Sequence, residues 1–81
     1  MKARVYVTLK DGIHDPQGKA ICQALSALGF DGVEQVRAGK YFEMEIHPAS
    51  VPSAPSLDKM CQALLANTVI EKYRYELIEE G

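Results

Sequence analysis

The chain has 81 residues, two cysteines and a net charge of −2, with a pI near 5.6. That is room for one domain over residues 1–81, in a chain that buries only about 60% of the surface its unfolded form exposes. The weakly acidic balance gives a phosphate backbone no general attraction, so nucleic acid is not expected as a partner. The longest apolar run, Ala63 to Ala66, is far short of the ~20 residues that span a bilayer, so no membrane partner is expected and the protein reads as soluble and cytoplasmic.

Arg4 to Leu9 alternates, with Val5, Val7 and Leu9 on one face and Arg4, Tyr6 and Thr8 on the other, the period of a strand with one buried side. Asp11-Gly12 then suits a turn. Asp15 is a preferred helix N-cap and Pro16 falls at the first helical position with its φ already set. Gly18 inside that first turn costs of order 1 kcal/mol relative to alanine, so either another group approaches its backbone closely or the residue is a conformational accident of a solvent-facing turn. Ile21, Ala24, Leu25 and Leu28 follow the spacing of one apolar stripe, expected to cover the strand, with Leu25→Ala costing roughly 2–5 kcal/mol. Gly29 ends the helix.

Asp31-Gly32 makes a second turn. Val33 to Arg37 resumes strand character out of strict alternation, and Ala38-Gly39 offers a hairpin turn before Tyr41 to Ile46. In that last run Phe42, Met44 and Ile46 oppose Tyr41, Glu43 and Glu45. His47 to Pro55 holds three of the four prolines and is expected to be the main, mobile loop. Ser56 can cap a second helix with the stripe Leu57, Met60, Cys61 and Leu64, widened by Leu65, and Asn67 stops it. Tyr73, Tyr75 and Leu77 alternate with Arg74, Glu76 and Ile78 as a final strand.

The order is β-α-β-β-α-β, an α+β arrangement of the ferredoxin-like sandwich kind with two helices on one face of an antiparallel sheet. The other face is expected to carry Tyr6, Tyr41 and Tyr73 or Tyr75, and exposed aromatic faces or open edges are self-association surfaces. A homodimer or homotetramer is therefore expected.

Chemistry-bearing residues are sparse. His14 and His47 are the only histidines, and neither has the neighbours at metal-ligand spacing that a site of three or four ligands needs. Cys22 and Cys61 sit in apolar helical patterns without a Cys-x-x-Cys spacing, as small buried hydrophobes do. Gly39-Lys40 lacks the upstream glycine and following Ser or Thr of a P-loop. Arg37 and Lys40 flank a turn where they can meet an anionic surface or simply be solvated, and Glu79-Glu80-Gly81 reads as a solvated tail.

Three blocks nonetheless resemble a known family. They are Leu9-Lys10-Asp11-Gly12-Ile13-His14-Asp15-Pro16-Gln17-Gly18-Lys19-Ala20, then Val36-Arg37-Ala38-Gly39-Lys40 with Phe42-Glu43, then Met60-Cys61 with Leu64-Leu65-Ala66-Asn67-Thr68-Val69-Ile70-Glu71. In this order and in a chain of this length they look like the PurS subunits of bacterial phosphoribosylformylglycinamidine synthase. The resemblance implies a small, non-catalytic subunit that bridges a large synthetase subunit (PurL) and a glutaminase subunit (PurQ) in de novo purine biosynthesis. It implies ATP, Mg and glutamine as ligands of the complex and none held by this chain. It also makes Asp15, Pro16, Gln17, Gly18, Arg37, Gly39 and Lys40 candidates for inter-subunit contacts, with Arg37→Glu expected to disturb docking more than folding. Two rival readings come from other classes. One is a dimeric amino-acid-sensing module, since the same order of elements serves such domains; the other is a small independent enzyme using Cys22 or His14.

Overall fold

The first strand to form in the sequence becomes the middle strand of the sheet. In the computed structural model, which describes residues 1–47, 49 and 54–79, β1 (Lys2–Leu9) pairs antiparallel with β2 (Gly39–Glu45) on one side and β3 (Glu71–Ile78) on the other. The alternation of β1 explains its place, because Ala3, Val5 and Val7 are fully buried while the residues between them are not. Register builds three rows on the core face: Met44–Ala3–Leu77, Phe42–Val5–Tyr75 and Lys40–Val7–Tyr73.

Helix α2 (Ala54–Met60) and the π-helical turn that continues it (Cys61–Leu65) lie on this face. Leu57 and Cys61 are fully buried, whereas Met60 is 41% exposed and Leu64 84%. The expected stripe thus keeps two of its four members. Ala66 N–H bonds to the Cys61 carbonyl at 2.8 Å, a five-residue step that inserts one extra residue into the turn. The inward line becomes Leu57, Cys61 and Ala66, with Leu65 half-buried, and Leu64 is carried outward. Ser56, expected as the cap, lies inside the helix, which begins two residues earlier. The expected loop over 47–55 lies mostly outside the described residues, as do Glu80 and Gly81 of the expected tail.

Helix α1 (Pro16–Ala27) starts and stops where local chemistry dictates. Asp15 caps it, Pro16 opens it, and it ends in a full Schellman pair: Gly29 N–H to the Ser26 carbonyl and Phe30 N–H to the Leu25 carbonyl, both 3.0 Å. Gly29 has φ +93° as that motif requires. What α1 does not do is cover the sheet. Of its residues only Gly18 is buried; Ile21 and Leu28 are 40% and 73% exposed, and Leu25, expected in the core, is half-buried.

The architecture is α+β with an antiparallel sheet, but among the described residues three strands stand where four were expected. Val33 to Arg37 runs without ladder partners; Cys22 donates to the Val33 carbonyl, the Val36 carbonyl lies close against Gly18, and the Ala38 N–H that follows the segment donates to Asp15. Ala38-Gly39 is accordingly no hairpin turn. Gly39 is the first residue of β2, opposite Thr8, where a Cβ would come within 2.5 Å of the Val7 carbonyl oxygen.

The second face of the sheet is a polar and aromatic ladder. The rings of Tyr6 and Tyr41 lie 5.2 Å apart, and the Arg74 guanidinium sits 3.9 Å over the Tyr6 ring. Tyr6 donates to Glu76 at 2.9 Å, and Lys2 pairs with Glu43 at 2.6 Å. Tyr73 and Tyr75, one of which was expected here, lie instead on the helix-covered face and both donate to Asp58, at 3.1 and 3.2 Å. Their odd-numbered register with Val7 and Val5 puts them there.

Candidate functional site

The three sequence blocks, scattered along the chain, meet at the end of β1. Asp15 is the centre of the arrangement. One carboxylate oxygen accepts the Gly18 N–H and the other the Ala38 N–H, each at 2.8 Å, so a single side chain caps α1 and fastens the entry of β2. Those two backbone bonds, Gly18 first, hold its carboxyl below the usual aspartate range; the charges of Arg37 and His14 act the same way, against partial desolvation. Gly18 is buried because the Val36 carbonyl oxygen occupies the space where a Cβ would stand. Of the two readings open for a glycine in this turn, the structure has the close approach.

Arg37 closes the latch. Its Nη2 donates to the carbonyls of Leu9 and Lys10 at 2.9 and 3.2 Å, and its Nε lies 4.0 Å from Asp15. Arg37, expected beside a turn as a partner contact or a solvated charge, ties the end of β1 to the 33–38 segment. Carbonyls at a strand end are acceptors without ladder partners, and a guanidinium fork satisfies two at once.

The third block arrives from the other side. Lys10 N–H bonds to the Ile70 carbonyl at 2.8 Å, and Asn67 organises the turn before β3 by accepting the N–H groups of Val69, Ile70 and Glu71. Glu71 accepts the Asn67 N–H at 2.7 Å and pairs with Lys40 at 3.6 Å, with its side chain only 12% exposed. Gln17, Ala38, Gly39, Lys40 and Glu71 thereby share one shallow cleft of about 160 Å³ beside Thr8. A larger hollow of about 510 Å³ lies between α1 and the 33–37 segment, lined by His14, Lys19, Cys22 and Glu34 among others.

The site divides by role. Asp15, Gly18, Arg37 and Gly39 are consumed by internal contacts, whereas Pro16, Gln17 and Lys40 present exposed surface. Glu71 and Asn67 are tied to these candidates by contacts that no spacing signals; their appearance in the third block was the only sign. No pair here has the form of a nucleophile and its base. Cys22 donates to the Val33 carbonyl at 3.4 Å, His47 accepts the Ala49 N–H, and burial together with nearby Asp58 pushes the Cys61 thiol up, away from the thiolate. Among the described residues no three His, Cys, Asp or Glu side chains are grouped to hold a metal, and no helix is long and apolar enough to cross a membrane.

Residues 2–79 match the family model described as PurS, phosphoribosylformylglycinamidine (FGAM) synthase. The chain is 49% identical over 75 residues to the phosphoribosylformylglycinamidine synthase subunit PurS of Synechocystis, covering 91% of this chain and 75% of that one. It superposes on the crystal structure of Bacillus subtilis PurS with a TM-score of 0.87 at 46% identity, covering 96% and 98% of the two chains. A chain of the PurLQS structure from Thermotoga maritima is similar at a TM-score of 0.77 and 26% identity, with 93% of each chain covered.

Proposed function

Because this chain belongs to the PurS family of phosphoribosylformylglycinamidine synthase subunits, we propose that it acts as a bridge holding the synthetase subunit PurL and the glutaminase subunit PurQ in register. It works as one PurS-type domain over residues 1–81, in a homodimer or homotetramer, within a cytoplasmic complex of de novo purine biosynthesis. The complex uses ATP, Mg and glutamine, bound by the larger subunits. Ammonia released from glutamine then reaches formylglycinamide ribonucleotide activated by ATP.

The physical need for such a bridge follows from the nucleophile. Ammonia reacts in its neutral form, and in bulk water near pH 7 most of it is protonated and diluted. Holding two active sites in fixed relation raises its effective concentration and excludes water, without a reacting group from the holder. The observation that carries the proposal is the match over residues 2–79 together with the meeting of all three family blocks at one end of β1. Of the candidate contacts, Pro16, Gln17 and Lys40 meet a partner directly, and Asp15, Gly18, Arg37 and Gly39 shape the surface that carries them.

The test mixes this chain with the synthetase and glutaminase subunits and compares turnover with glutamine against turnover with ammonium salts. Leaving the chain out is expected to abolish most glutamine-dependent turnover and spare the ammonia-dependent reaction. Full glutamine-dependent turnover without it would refute the bridging role.

A further inference from the structure

The hollow of about 510 Å³ between α1 and the 33–37 segment has a role in neither the latch nor the surface carried by Pro16, Gln17 and Lys40. Its walls are fixed before anything enters. At one end of the segment Cys22 Sγ, on α1, donates to the Val33 carbonyl at 3.4 Å. At the other the Val36 carbonyl lies against Gly18, and Arg37 donates to the carbonyls of Leu9 and Lys10. A cavity held open in this way spares a ligand the cost of ordering the chain around it, and its volume falls in the range of small-molecule sites, roughly 300–1,000 Å³. Lys19, on its wall, lies roughly 120° or more around the helix from Ile21, Ala24, Leu25 and Leu28. The hollow and the apolar stripe thus occupy different flanks of α1.

The charges decide what it can take. Asp15, Lys19, Glu34 and Arg37 all line the hollow. Asp15 and Arg37 lie 4.0 Å apart and are occupied by each other and by backbone groups. Lys19 and Glu34 differ: among the described residues neither side chain has a hydrogen-bond or ion-pair partner. The hollow therefore offers one unspent cation and one unspent anion, with His14 beside them and half-buried Ile13, Cys22 and Val36 as its apolar wall. A phosphate is a poor match, because the Asp15 carboxylate already takes the Gly18 amide at the start of α1 and two carboxylates repel a dianion. A divalent cation fares no better, since among the described residues no three ligating side chains are grouped. A zwitterion fits, with one charge for each unspent partner and an uncharged remainder for the apolar wall; a further charge on it would meet no counter-charge.

We propose that this hollow binds a free α-amino acid with an uncharged side chain, its carboxylate on Lys19 and its ammonium group on Glu34. The site goes beyond the bridging role and does not depend on it.

The test is a titration of the isotope-labelled full chain with L-leucine and, separately, L-glutamine, read by backbone amide chemical shifts. Saturable changes are expected at Lys19, Cys22, Glu34 and Val36, half-complete at about 1 mM or below. L-Leucinamide lacks the carboxylate charge and N-acetyl-L-leucine the ammonium charge, and each is expected to bind at least about 10-fold more weakly than L-leucine. Lys19→Gln is expected to erase the difference between L-leucine and its amide, and Glu34→Gln the difference between L-leucine and its N-acetyl form. Loss of the fold would not produce that crossed pattern, and the comparison of analogues on the unaltered chain needs no variant. No saturable change with either amino acid up to about 10 mM, or equal affinity for the analogues lacking one charge, would overturn the site.

Discussion

Gly18→Ala opposes two effects of known sign, so its outcome tests the latch directly. By helix propensity alone the change stabilises by about 1 kcal/mol, which in a domain of this size raises Tm by roughly 4–8 °C. The structure reverses that expectation, because the new methyl would overlap the Val36 carbonyl oxygen, a backbone atom with no rotamer to escape through. Moving the 33–38 segment aside stretches the Ala38 N–H bond to Asp15 and the Arg37 contacts to Leu9 and Lys10. Overpacking of this kind costs about 1–3 kcal/mol and a lost buried hydrogen bond about 1 kcal/mol more. Net of the propensity gain, a loss of about 1–3 kcal/mol remains, or a fall in Tm of roughly 5–20 °C. The assay is thermal unfolding by far-ultraviolet circular dichroism at one fixed protein concentration, since self-association shifts Tm by mass action. A Tm raised by 4–8 °C would refute the reasoning, showing that the segment lies free of the helix.

Four further outcomes follow from the same geometry. Leu57→Ala removes a fully buried side chain between α2 and the sheet and is expected to cost about 2–5 kcal/mol in urea unfolding; a change below about 1 kcal/mol would mean that α2 does not cover the core. Asp15 has its folded carboxyl held below the unfolded value, so its stabilisation is fully present above about pH 4 and lost as pH falls through the lower, folded value. The stability difference between the wild type and Asp15→Asn is thus expected to shrink on acidification below about pH 4, and a difference constant with pH would contradict the assignment. Lys40→Glu places a like charge beside Glu71 on exposed surface and is expected to weaken co-elution with the larger subunits while leaving the fold intact. Arg37→Glu, by contrast, loses its bonds to two strand-end carbonyls and is expected to lower Tm as well.

Local signals in the sequence were read correctly where their energetics are local. Asp15 and Pro16 start α1, Gly29 ends it, and the turns at Gly12 and Gly32 take the positive φ that glycine permits. Each is decided within a few residues of backbone, by a capping bond or by a missing Cβ. The alternation of β1 was equally legible, since period two in a half-buried strand reports directly which side chains face the core, whereas β3, apolar on both faces, was legible as a strand but not as to which face Tyr73 and Tyr75 take. The three family blocks named Asp15 to Gly18 and Arg37 to Lys40 as contact candidates, and the structure brings these two stretches together at the end of β1.

What sequence alone did not determine depends on contacts between distant residues. Val33 to Arg37 has the composition of a strand, yet the Val36 carbonyl set close on Gly18, the Arg37 side chain on the Leu9 carbonyl and the Ala38 N–H on Asp15 tie it to α1 and the end of β1, and no local propensity records those distant contacts. The π turn at Cys61 exists because it seats Ala66 against the sheet and sends Leu64 out, a choice made by packing rather than by periodicity. The stripe of α1 predicted a face buried against the sheet, and the structure leaves that face largely uncovered. Periodicity is a property of one element by itself, however, so it names the face to be buried and leaves the covering surface to the tertiary structure, which in this chain leaves Leu28 and Phe30 uncovered.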